Sequence, residues 1–115
     1  MKIIKLTCKD IYTLIYDNVY DISHFGGLPY DMDLRYNEIM YALYKGGENE
    51  ISIEEESSGK VELTGIHIYK LISENINKLK EFANFDSRYD MDIINNDLMY
   101  ALNNSNNYKI SVNKN

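Results

Sequence analysis

The chain has 115 residues, a formal net charge of −6 and a pI near 4.8. That balance disfavours bare nucleic acid and anionic lipid surfaces as partners, because both call for a basic patch to meet their phosphates. With 44% hydrophobic and 26% charged residues the composition is that of a globular chain, and a single cysteine, Cys8, leaves no internal disulfide.

In chain order, Ile3 to Leu6 is a short β-prone run, and Thr7 follows it as a candidate N-cap. Ile11, Leu14, Ile15, Val19 and Ile22 keep helical spacing, so one helix is predicted over that stretch. Gly26-Gly27-Leu28-Pro29 reads as a turn. A second helix is predicted to start near Asp33, with Ile39, Met40 and Leu43 on its core face and Gly46-Gly47 at its end. Glu50 to Glu55 alternates as a half-buried strand, and Glu56 to Lys60 is a polar turn. The same series then recurs. Val61 to Leu63 is β-prone, and Thr64 is a candidate N-cap. Ile68, Leu71, Ile72, Ile76 and Leu79 keep helical spacing. A helix is predicted from near Asp92 through Leu98, Met99 and Leu102, and Tyr108 to Val112 closes as a strand.

The recurrence is an internal duplication. Tyr30 to Ile53 lies over Tyr89 to Val112 at an offset of 59 without a gap, with 11 of 24 positions identical. Ile4 to Phe25 lies over Val61 to Phe82 at an offset of 57, with 8 of 22 identical. The slip falls in the turn, where insertions are tolerated. The expected architecture is one α+β domain over residues 1–115. It is built of two β-α-α-β repeats, 1–58 and 59–115, around a four-stranded, mainly antiparallel sheet with four helices and pseudo-two-fold symmetry. A central hairpin is expected across the junction.

No motif carries chemistry. Asp31-x-Asp33 and Asp90-x-Asp92 are carboxylate pairs, but an EF-hand reading would put Tyr36 where glycine is required and Ala42 where the bidentate glutamate belongs. They read as helix-capping acids. His24 and His67 do not match between repeats and have no cysteine at ligand spacing, so neither metal nor cofactor is expected. Leu28-Pro29 ahead of a helix ending Ala42-Leu43 is faintly similar to barstar-type ribonuclease inhibitors. The Tyr-Gly and Asn-Leu-Asp elements of that pattern are absent, so none of its residues is carried over. The motif Met40-Tyr41-Ala42-Leu43, kept as Met99-Tyr100-Ala101-Leu102, reads as core.

The halves diverge in charge and in tyrosine. Residues 1–58 hold 5 basic and 11 acidic side chains, whereas residues 59–115 hold 7 of each. Much of the excess sits at Glu48, Glu50, Glu54, Glu55 and Glu56. Seven of 11 tyrosines lie in the first half. Tyr12, Tyr16 and Tyr20 form a stripe at i, i+4 and i+8. Their counterparts are Tyr69, Ser73 and Asn77, and Tyr36 and Tyr44 become Asn95 and Asn103. Tyrosines that the second copy does without are candidates either for an interface, where the residue offers area and a polar tip at low entropy cost, or for packing between the halves or in an asymmetric core.

The expectation is a non-enzymatic binding protein that inhibits a basic, nucleic-acid-handling protein, of phage anti-defence (anti-CRISPR-like), antitoxin or immunity type. It would act in the cytoplasm, without direct nucleic-acid or membrane contact and with homodimerisation open. The residues carrying the interface would be those tyrosines and glutamates. The alternative is a small-molecule sequestering protein with a pocket on the internal axis lined by Tyr30, Asp31, Tyr89 and Asp90. The abundance of Asn, Ile, Lys and Tyr suits an AT-rich bacterial or phage genome.

Overall fold

A computed structural model describes residues 2–29, 34–55, 63–86, 88–91 and 93–110. The order is β1 (Lys2–Thr7), α1 (Cys8–Asp17), α2 (Val19–Phe25), α3 (Glu38–Gly46), β2 (Glu50–Glu55), α4 (Gly65–Glu74), α5 (Ile76–Phe82) and α6 (Asp97–Asn104). This is a small mixed fold of six helices and a two-stranded antiparallel sheet among the described residues, not the expected four-stranded sheet with four helices.

Two features account for the difference. The first is a helix break in each half. Asn18 and Asn75 occupy matched positions between α1 and α2 and between α4 and α5, with backbone outside the helical region. Each amide turns back on its own helix. Asn18 Nδ2 donates to the Leu14 carbonyl at 2.7 Å, and Asn75 Nδ2 donates to the Leu71 carbonyl at 2.9 Å. An asparagine that satisfies a backbone carbonyl locally competes with the helix ladder. The same side chains also cross between halves: Tyr108 Oη donates to Asn18 Oδ1 at 2.9 Å, and Asn75 donates to the Ser52 carbonyl at 3.0 Å.

The second feature is where the strands pair. β1 pairs with β2, Leu6 opposite Ile51 and Thr7 opposite Glu50. The second half repeats those two rungs. Thr64 bridges Lys109, and Ile110 N–H donates to the Leu63 carbonyl at 2.9 Å. Pairing therefore runs within each half. The junction turn, Val61–Glu62 and Ser111–Val112, on which the rest of the expected strands fall, lie outside the described residues. In β1 and β2, Ile4, Ile51 and Ile53 point inward while Ile3, Glu50 and Glu54 point to solvent, as period-two alternation demands.

The second helix of each half starts later than predicted. Asn37 caps α3 by accepting from Met40 N–H at 2.9 Å, and Asn96 caps α6 by accepting from Leu98 N–H at 2.9 Å. Asparagine in extended backbone caps as well as aspartate, and the identical pair 37/96 outcompetes the acids upstream. Thr7 caps α1 as expected, accepting from Asp10 N–H at 3.0 Å.

The core joins the halves. α1 packs on α3 and α4 on α6, within their halves; α3 packs on α5 and α2 on α6, across them. Ile11, Ile15, Ile39, Leu43, Ile68, Ile72, Leu98 and Leu102 are wholly buried, each worth roughly 1.5–3 kcal/mol relative to exposure. Met40, Ala42 and Leu43 are core, but Tyr41 is 49% exposed, because it faces away from the Ile39–Met40–Leu43 stripe. Tyr100 repeats this on α6.

Candidate functional site

One arginine, Arg35, joins two of the tyrosines of the first half, Tyr16 and Tyr20. Tyr12 and Tyr16 lie one turn apart on α1 with rings stacked at 5.8 Å. Tyr44, near the end of α3, meets Tyr12 at 5.7 Å. Tyr20 stands on α2, beyond the break at Asn18. The Arg35 guanidinium nonetheless reaches both segments, 4.5 Å from the Tyr16 ring centroid and 5.2 Å from that of Tyr20. Arg35 Nη2 also donates to the Tyr16 carbonyl at 3.3 Å, while its Nε is buried without a hydrogen-bond partner. The neighbouring Tyr36 shares a side-chain hydrogen bond with Tyr16, the chief reason its phenol pKa is raised. Tyr12 and Tyr16 are half-buried against the core, whereas Tyr20, Tyr36 and Tyr44 stand out at 67%, 78% and 67% exposure.

Beside these rings lies a cleft of about 540 Å³, lined by Tyr12, Arg35, Tyr36, Asn37, Glu38, Met40, Tyr41, Tyr44 and Phe85. Phe85 is the contribution of the second half. It stacks on Tyr41 at 5.8 Å and meets Tyr89 at 5.2 Å, and Tyr89 Oη donates to the Glu38 carboxylate. A second groove shares Tyr12 and Tyr44 and is otherwise lined by Lys9, Thr13, Lys45 and Gly47.

Neither a protein-family model, nor a curated protein, nor a solved structure matches the chain.

The acidic residues do not form one face. Glu48 is exposed and lies 3.9 Å from Lys9. Glu50 and Glu54 point to solvent from β2. Glu55 turns the other way, toward α4, where Lys70 Nζ is 3.7 Å away and His67 Nε2 3.8 Å. His67 Nδ1 accepts from Thr64 N–H at 3.0 Å, so the neutral ring carries its hydrogen on Nε2, the atom facing Glu55. Glu55 is therefore a link between β2 and α4. Glu56 lies outside the described residues.

The pocket expected on the internal axis is not assembled by the described residues. Tyr30 and Asp31 lie outside them. Tyr89 sits at the aromatic cleft with Phe85, while Asp90 lines a separate depression with Met91, Ile93, Ile94 and Asn95. Cys8 is wholly buried, and burial pushes its thiol pKa up, away from the thiolate a nucleophile needs. Among the described residues no group of three or more His, Cys, Asp or Glu could hold a metal, and no helix is long and apolar enough to cross a membrane.

Sequence reasoning missed Arg35, Tyr41 and Phe85. Arg35-Tyr36 faces Ile94-Asn95 in the other copy, so the divergence that singled out Tyr36 also marked its neighbour. Tyr41 was hidden by its identity with Tyr100. Phe85 falls in the turn whose length differs between copies and has no counterpart to compare.

Proposed function

We propose that the protein is a small, acidic, non-enzymatic binding protein that inhibits a basic, nucleic-acid-handling protein, in the manner of phage anti-defence proteins, antitoxins or immunity proteins. The supporting observation is that three protruding rings, Tyr20, Tyr36 and Tyr44, and the half-buried Tyr16 beside them are dispensed with by the second copy. α1, α2 and α3 are matched by α4, α5 and α6, yet Tyr16, Tyr20, Tyr36 and Tyr44 are replaced there by Ser73, Asn77, Asn95 and Asn103. Exposed, mutually braced tyrosines are suited to the centre of an interface. The acidic excess of the first half would draw a basic partner over distance, with Glu48, Glu50 and Glu54 at the surface and Glu55 withdrawn to α4.

The test is capture from nuclease-treated lysate by wild type and by a Tyr20→Ala, Tyr36→Ala, Tyr44→Ala variant. A basic protein retained by the wild type alone, released by rising salt and inhibited in a nucleic-acid cleavage or binding assay, is the expected result. Equal retention by both, or no inhibition of the retained protein, contradicts the reading.

A second reading, sequestration of a small ligand, is favoured by the aromatic cleft of about 540 Å³, a size that suits small molecules. A thermal shift of the isolated protein with a small-molecule extract of the host, absent in the triple variant, would favour it over a protein partner.

A further inference from the structure

Two spaces meet at one pair of rings. Tyr12 and Tyr44, with centroids 5.7 Å apart, wall both the aromatic cleft of about 540 Å³ and the neighbouring groove of about 520 Å³. Three of the five basic residues of the first half stand around that pair, Arg35 in the cleft and Lys9 and Lys45 in the groove. Among the described residues one carboxylate, Glu38, lines either space, and it already accepts from Tyr89 Oη. Asp17, further along α1, lines a separate and smaller depression with Tyr16. Lys9 has Glu48 3.9 Å away, but both side chains are mostly exposed, and such a pair is worth little. The ring pair is therefore surrounded by more positive than negative charge, inside a half whose net charge is −6. The second copy has none of these cations: Lys9, Arg35 and Lys45 are matched by Ile66, Ile94 and Asn104. They are lost together with the rings of Tyr36 and Tyr44, which become Asn95 and Asn103.

We infer that the two spaces form one site for a 5′-mononucleotide, its base against the aromatic rings of the cleft and its phosphate over Lys9 and Lys45 in the groove. Stacking on tyrosine and phenylalanine suits any base, because every base has a π-face. A phosphate monoester carries a charge of about −1.5 to −2 at pH 7, which two lysine point charges match. Glu38 repels phosphate from the cleft itself, and so fixes which end of the ligand lies on the Phe85 side. Spaces of this size suit a ligand of that class. The inference gives a chemical class to the small-ligand reading and rests on it.

The experiment is a chemical-shift titration of the full chain with AMP, GMP, CMP and UMP, with the matching nucleosides and with inorganic phosphate. The expected result is saturable shifts at Tyr41, Tyr44 and Phe85 with one or more of the nucleotides, bound roughly ten-fold more tightly than its nucleoside or phosphate alone. Tyr44→Leu and Lys45→Gln, each folded by circular dichroism, should weaken that nucleotide by a similar factor. Lys78→Gln, at an exposed position of α5, should leave it unchanged. No saturable shifts with any nucleotide, a nucleoside or phosphate bound as tightly as the nucleotide, or binding that survives both Tyr44→Leu and Lys45→Gln would each overturn the assignment. A melting shift with the host extract in spite of such a result would leave the small-ligand reading standing with a ligand of another class. The absence of both would remove that reading as well.

Discussion

Arg35 shows how one side chain can organise a surface. It spans Tyr16 on α1 and Tyr20 on α2, bridging the break at Asn18. Replacing it with alanine should cost about 1 kcal/mol in urea unfolding, the worth of a partly exposed cation–π contact, and Arg35→Lys should recover little, because an ammonium cannot cover two rings at once. Tyr108 offers a second residue-level test. Its hydroxyl lies 2.9 Å from both Asn18 Oδ1 and Asp21 Oδ2, which share its single hydrogen, and its ring stacks on Phe25 at 4.8 Å. Burial first, and the Asp21 carboxylate second, push its pKa from 10.0 up to about 12. A raised phenol pKa means the native state prefers the neutral form. Its contribution is thus complete below pH 10 and is lost as pH climbs toward 12. Denaturant unfolding at a series of alkaline pH values should show wild-type stability falling across that window, and Tyr108→Phe falling less.

At the scale of elements, the two copies solve one packing problem in two ways. Where the start of α1 meets the end of α3, Cys8 faces Gly46; where α4 meets α6, Gly65 faces Ser105. A Cβ on Gly46 would stand 2.6 Å from Cys8 Sγ, and one on Gly65 would stand 2.5 Å from Ser105 Cβ. Each contact holds one side chain, on opposite partners. Gly46→Ser should therefore destabilise by about 1–3 kcal/mol through overpacking, and adding Cys8→Gly should restore most of it, measured by thermal unfolding of the single and double variants. The duplication was legible because identities such as Met40-Tyr41-Ala42-Leu43 align without a gap, and the buried stripes on α1, α3, α4 and α6 followed from helical spacing. The helix breaks were not legible, since apolar spacing runs through Asn18 and Asn75 undisturbed and the cross-half partners of their side chains, the Tyr108 hydroxyl and the Ser52 carbonyl, are far away in sequence. The late helix starts were missed because Asp33 and Asn37 are equally good caps by type, and it is Asn37 that accepts from Met40 N–H in the first turn of α3. The tyrosine stripe was readable from divergence between copies; the cleft beside it was not, because Phe85 comes from the other half.

At the scale of the molecule, the halves exchange helices. α2 of the first packs on α6 of the second, and α5 of the second packs on α3 of the first. The α1–α3 and α4–α6 pairs within each half are thus each completed by a helix of the other, and a unit of that size buries too little surface alone to compensate. Residues 1–58 and 59–115 made as separate chains should each lack a cooperative thermal transition by circular dichroism, and an equimolar mixture should regain one. Shared burial also explains how the surfaces came to differ: a core held in common fixes the inward positions of both copies and leaves the outward ones free. On that freedom rests the central claim, that the tyrosine face of the first half serves contact and not the fold. Urea unfolding of the variant Tyr16→Ser, Tyr20→Asn, Tyr36→Asn, Tyr44→Asn, which gives the first half the residues of the second, tests it most directly. The claim predicts a cooperative transition with an unchanged slope and a total loss under about 2 kcal/mol, as for surface substitutions. A loss above about 5 kcal/mol, the scale of aromatic rings removed from a core, would contradict it.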